Sequence, residues 1–141
     1  MAFLQITESV IVVDSNVWAD YFNGSASAYV ERLDNGLLDE EDIAILPIIV
    51  TEVLQGFRTS AGFNRAHDIL TRLPIIQPDL ACHVEAALLF RKLRGNGITV
   101  RGSIDCVIAQ FCIRSGSTLL SPDADFRLIA QHSDLDLWMP D

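Results

Sequence analysis

Four β-branched apolar residues in a row, Val10-Ile11-Val12-Val13, followed at once by Asp14, constrain this chain more than any other stretch. A strand that is apolar at every position must be buried on both faces, which is the habit of parallel sheets. Val17, Trp18, Tyr21 and Phe22 then take up helical spacing. An acid therefore stands where a central strand hands over to a helix, and open α/β sheets bind their ligands at that edge. Helix capping would explain one such aspartate. It does not explain why acids return at Glu52, Asp105 and Asp123, with Asp125 two residues further on.

The rest of the chain alternates in the same way. A first short helix over 16–22 ends at Asn23-Gly24, and a second, capped by Ser25 or Ser27, closes at Asn35-Gly36. Asp39 to Asp42 reads as a solvated acidic loop. Ile43 to Leu46 reads as a strand, and Pro47 opens a helix with Ile49, Val50, Val53, Leu54 and Phe57 on its apolar stripe. Helices are expected over 61–73, 79–94, 104–114 and 126–131, with Ser103 as the cap of the third. Extended pieces are expected at Ile75-Ile76, 98–100 and 117–120, with an edge strand at 135–138. The expectation is an α/β fold with a largely parallel central sheet flanked by helices, in one domain over residues 1–141. Met1 to Ser9 is expected to be a lead-in of little consequence.

Several function classes lose ground on composition. No apolar run approaches the roughly 20 residues needed to span a bilayer, and the first nine residues lack the basic start and apolar core of a secretion signal. Cys82, Cys106 and Cys112 are odd in number and without metal-binding spacing; Cys106 and Cys112 lie in an apolar helical pattern and read as buried thiols, and a reduced, cytoplasmic protein is expected. His67, His83 and Glu85 have no ligand spacing and read as structural or surface groups. A net charge of −9 argues against broad attraction to nucleic acid. A divalent cation held among converging carboxylates would cancel much of that charge locally. Of the ten basic residues only Lys92 is a lysine, and arginine suits forked recognition of phosphate.

Asp14, Asp105 and Asp123 each fall near a helix start, where negative charge is worth about 0.3–1 kcal/mol. Glu52 has no such excuse, because it interrupts an apolar stripe. Carboxylates brought together repel unless one takes a proton or a cation enters. An oxygen-only set suits Mg²⁺ or Mn²⁺, and such ions serve phosphodiester hydrolysis.

The segments V-I-V-V-D-S-N-V-W, T-E-V-L-Q-G, S-I-D-C-V-I-A and S-P-D-A-D-F, in this order, resemble the four acidic motifs of PIN-domain ribonucleases. More narrowly, they resemble the VapC toxins of toxin–antitoxin pairs. The resemblance covers almost the whole chain. It implies a Rossmann-like, three-layer PIN fold, with Asp14, Glu52, Asp105 and Asp123 as catalytic metal ligands and Asp125 as an auxiliary one. Ser15 and Asn16 would orient the site, and Arg101 in T-V-R-G-S would contact phosphate. Further implications are Mg²⁺- or Mn²⁺-dependent cleavage of RNA by a metal-activated water, leaving 5′-phosphate and 3′-hydroxyl ends, and inhibition of translation. The expected partners are a VapB-type antitoxin, a structured RNA such as tRNA or a ribosomal RNA loop, and a second copy in a homodimer. Ser121 departs from the pattern, since many relatives carry His or Thr there.

Two readings of other classes compete. An aspartyl phosphatase built on Asp14 would want a second Asp where Asn16 stands, or a Lys after a late strand, and Lys92 is mid-helix. A non-catalytic binding module should have lost an acidic position, and none is lost. A housekeeping PIN nuclease remains the nearer alternative.

Overall fold

The computed structural model describes residues 10–141, so the lead-in expected over residues 1–9 lies outside the described residues. Ile11–Val13 forms β1, buried along its whole length, and Asp14 caps the helix α1 (Ser15–Asn23). Gly24 ends α1 at φ 73°, a left-handed conformation that a side chain resists. Then come α2 (Ala28–Leu38), β2 (Ile43–Ala44), α3 (Pro47–Leu54) and α4 (Ser60–Leu70). The long α5 (Leu80–Gly95) leads into α6 (Ser103–Ser115), β3 (Thr118–Leu120), α7 (Ala124–Gln131) and β4 (Asp136–Leu137).

The sheet order is β2-β1-β3-β4, with every pairing parallel. β1 lies inside the sheet, with Ile11 opposite Ile43 on one side and Thr118 on the other. That position is what its unbroken apolar run predicts. The chain moves one way from β1 to β2 and the other way from β2 to β3. Right-handed crossovers then place α1 and α2 on one face and α6 and α7 on the other. The order reverses between β1 and β3, which makes the carboxyl ends of these two strands the natural crevice of the sheet. One apolar core runs from Val12 and Trp18 through Ile45, Ile49 and Leu93 to Ile108, Leu119 and Phe126. No helix of the described residues is long and apolar enough to cross a membrane.

The structure moves several expected boundaries. α2 does not stop at Asn35-Gly36 but runs on to Leu38. Gly36 is helical and buried there because Glu41 and Ile43 come close: a Cβ would sit 2.8 Å from Glu41 Oε2 and 3.3 Å from Ile43 Cδ1. This glycine serves packing, and Arg32 closes the corner with two hydrogen bonds to the Glu41 carboxylate. Ser27, not Ser25, caps α2. Ser103 is not a cap but the first helical residue of α6, with Gly102 before it providing no side-chain bond. Residues 98–100 belong to no strand, and of the Ile75-Ile76 pair only Ile75 makes a sheet bridge, to Ile45. α7 begins at Ala124, two residues early, because Asp123 itself caps it.

All three cysteines are free and buried, Cys106 and Cys112 as their apolar setting predicts. Burial pushes the Cys106 thiol up to about 11, so it is inert at neutral pH. His67 and His83 are exposed, and Glu85 pairs with Arg114, which also holds the α5 cap Asp79 at 2.8 Å. This ion-paired junction fastens the start of α5 to the end of α6.

Two glycines near helix ends separate conformational need from chance. Gly116 ends α6 at φ 68°, whereas Gly95 closes α5 without a positive φ and with open space around it. Gly116→Ala should cost about 1–2 kcal/mol, while Gly95→Ala should be neutral or slightly stabilising. Urea unfolding of the two variants beside wild type measures the difference.

Candidate functional site

Strand β1 is followed at once by Asp14, whose N–H donates to the Leu120 carbonyl (3.0 Å), so the two strand ends are tied at the point where the acids emerge. Asp14 is only 6% exposed. Its Oδ1 accepts from the Ser15 amide and its Oδ2 from the Ser121 hydroxyl, both at 2.8 Å. Ser121 is itself 1% exposed, and its oxygen also accepts from the Asp123 amide (3.2 Å). One serine thus braces the acids of two strands. Burial pushes the Asp14 carboxyl above its ordinary range, the Ser121 and Ser15 bonds oppose that, and the Asp123 charge adds to it.

Asp123 follows β3 across Pro122 and caps α7, its Oδ1 accepting from the Asp125 amide at 2.9 Å. Asp105 enters from the first turn of α6. Its carboxyl is pushed up to about 6, first by burial and then by the charges of Asp14, Asp123, Asp125 and Glu52. Glu52 comes from α3 and is also raised, by burial and by Asp14, with the Ser15 hydroxyl pulling the other way. Four separate elements therefore bring all five expected acids to one pole of the sheet.

Within this group, one oxygen each from Asp105, Asp123 and Asp125 lies within 4.8 Å of the others. Among the described residues, no other set of three or more potential ligands is so close. Asp125, expected as auxiliary, is thus in the tightest trio, while Asp14 and Glu52 flank it. The donors are all hard carboxylate oxygens, which fits Mg²⁺ or Mn²⁺ and not a softer metal. Arg101 lies at the same place. Its amide and Nε both donate to Asp125 Oδ2 (3.2 and 3.4 Å), and Nη2 is 3.6 Å from Asp123 Oδ1. Its side chain is 83% exposed, so this pairing is weak and open to exchange. Asn16 stands exposed on the first turn of α1.

Sequence reasoning undervalued Ser121, treating it as a departure when it is the buried brace of Asp14. The available signal was its position, a hydroxyl at the end of a buried strand beside an acid two residues on.

The sequence profile of the PIN domain matches residues 11–131. The chain belongs to the PIN-domain family. Within that family it groups with the VapC ribonucleases. VapC11 of Mycobacterium tuberculosis is 33% identical over 129 residues, covering 89% of this PIN domain chain and 96% of the relative. A VapC ribonuclease of Mycobacterium bovis matches equally well. The fold is shared with VapBC2 from Rickettsia felis, solved with a fragment of promoter DNA. There the TM-score is 0.74 at 24% identity, covering 94% of this chain and 99% of that one. VapC20 of Mycobacterium tuberculosis, described as a sarcin–ricin loop cleaving toxin, superposes with a TM-score of 0.60 at 14% identity, covering 83% and 92%. These likenesses agree with the four-stranded parallel sheet and establish a PIN fold.

Two variants probe the electrostatics of this PIN site. Asp105 binds its proton more tightly when folded than its ordinary value of 3.8 implies, so it detracts from stability as pH rises from about 4 to about 6. In EDTA, Asp105→Asn should melt higher than wild type at pH 7, and the gain should vanish below pH 4. Ser121→Ala removes a hydroxyl that is bonded to a buried carboxylate, and should cost about 1–3 kcal/mol in urea unfolding at neutral pH.

Proposed function

We propose that this chain is a Mg²⁺- or Mn²⁺-dependent endoribonuclease and the toxin of a VapBC pair. The observation that carries the reading is the convergence of five carboxylates at the crevice between β1 and β3, three of them within 4.8 Å of one another. The curated relatives named VapC ribonucleases support the same chemistry.

Asp105, Asp123 and Asp125 would hold the ion, with Asp14 and Glu52 completing the negative pole. When bound, the ion supplies the positive charge that draws in a phosphodiester and acidifies a water for in-line attack. Ser121 and the Ser15 amide keep Asp14 in one orientation, so the pole need not reorganise when substrate arrives. Arg101, resting on Asp125, is placed to exchange its carboxylates for a phosphate oxygen. Its fork then orients the RNA backbone across the acids.

Structured RNA is the proposed substrate, and a VapB-type antitoxin is the proposed partner. The solved relatives include toxin–antitoxin complexes such as VapBC from Salmonella typhimurium, which supports that partnership. For the homodimer, α5 offers Leu80, Val84 and Leu88 at four-residue spacing, all exposed.

Purified protein should cut RNA with Mg²⁺ or Mn²⁺ and stop in EDTA. Asp14→Asn, Asp105→Asn and Asp123→Asn should melt within about 1 kcal/mol of wild type, or above it, since Asn retains capping ability. They should lose cleavage and metal-induced stabilisation together. Folded Asn variants that cut normally would reduce the carboxylates to helix caps. Expression should arrest growth, and the cognate antitoxin should relieve it.

A further inference from the structure

A groove of about 650 Å³ runs alongside the acidic pole, between α5 and the 99–103 segment that leads into α6. Its floor is apolar, formed by Ala86, Phe90, Val100 and Val107. Arg91 and Arg101 are its charged lining groups, and among the described residues no acid lines it. That composition stands out in a chain with 19 acidic and 10 basic residues. Arg101 belongs to both places, since the guanidinium that lines the groove also rests on Asp125 and Asp123. Arg94 stacks over the Phe90 ring, 5.8 Å from its centroid, and adds a third cation at the margin. Beside Arg101, Gly102 leaves the first turn of α6 without a side-chain cap, so its amides remain available to an anion.

Apolar floor, aromatic edge, flanking guanidiniums and free amides are together complementary to a nucleotide: a flat base on one side, a phosphate on the other. We propose that this groove binds one unpaired nucleotide of RNA adjacent to the bond that is cut. Arg91 holds its phosphate, and Arg101 links that phosphate to the acidic pole. The inference rests on the ribonuclease reading for its substrate class. It adds a site outside the acids and a requirement that the target be locally single-stranded. It also accounts for how a chain of net charge −9 receives RNA: the substrate is gripped in a groove that carries two arginines and no carboxylate.

The test is fluorescence anisotropy with a labelled, short single-stranded RNA of mixed sequence, in EDTA, on the full chain. Arg91→Glu and Ala87→Glu both place a negative charge on exposed positions of the groove, and neither touches the acids. Each should weaken binding roughly tenfold, and Arg91→Glu should lower the salt dependence by about one counterion. Arg91→Lys should restore most of the binding. Arg65→Glu, an exposed charge reversal on α4 away from the groove, should bind as wild type. Melting temperatures close to wild type establish that the variants are folded, and Ala87→Glu stands in if Arg91→Glu is not.

If both groove variants bind RNA as wild type does, while wild type cuts RNA in Mn²⁺, the subsite is overturned and the nuclease reading stands. If the groove variants lose binding but wild type cuts nothing in Mn²⁺, the nuclease reading fails and the groove remains a nucleotide site. If RNA binding survives in Arg91→Glu but co-purification with the antitoxin is lost, the groove belongs to the protein partner and the proposal is overturned.

Discussion

Placing like charges together at the end of a buried parallel strand is the constraint around which this molecule is built. Asp14 cannot leave the core, because Val12 and Val13 before it and Val17 and Trp18 after it are all buried. An ionised carboxylate in that position needs compensation. Two hydrogen bonds supply part of it, one from the first amide of α1 and one from the loop after β3. Ser121 is available only because β3 lies next to β1 and ends level with it, Val13 opposite Leu120. The strand order thus precedes the site: with β2 in the place of β3, the second acid and the bracing serine would both be lost.

The compensation is incomplete, and the remainder has functional meaning. Asp105 stays well above its ordinary range despite lying at a helix N-terminus, where the dipole favours ionisation. Burial and the surrounding acids therefore outweigh the helix. Arg101 offsets a little of this repulsion, but its exposure makes it a poor permanent counterion. A small hard cation is the better solution to the same electrostatic problem, because it carries twice the charge and approaches several oxygens at once. A cation bound among these carboxylates would relieve both the burial of their charge and their mutual repulsion.

Much of this was legible in the chain. The unbroken apolar run predicted a central parallel strand, and the acids at strand-to-helix junctions predicted where they would meet. Glu52 was legible because an acid in an apolar stripe demands an explanation. Local pattern was less reliable where tertiary packing set the outcome. Gly36 looks like a helix stop, yet it is a contact point for β2 and the Glu41 side chain. Ser103 looks like a cap, yet Gly102 takes that position and leaves the amides of the first turn open. The relative rank of Asp125 could not be read from spacing. It depends on how α7 is turned by the Asp123 cap, which draws the Asp125 amide onto its own oxygen.

That last detail explains why three of the five acids form a compact trio and two stand apart. Asp123 and Asp125 are locked into one turn by a hydrogen bond between them, so their separation is set locally. Asp105 joins them from α6, which packs against α7. Asp14 is drawn the other way, down onto Ser15 and Ser121, with both oxygens already engaged. Glu52 hangs from α3, across the sheet order from β3. The result is a graded pole, with the Asp105, Asp123 and Asp125 trio at one side and Asp14, held by its two hydrogen bonds, at the base. Ser121 is the residue that separates the two, because its hydroxyl holds the base while its oxygen fixes the turn from which the trio begins.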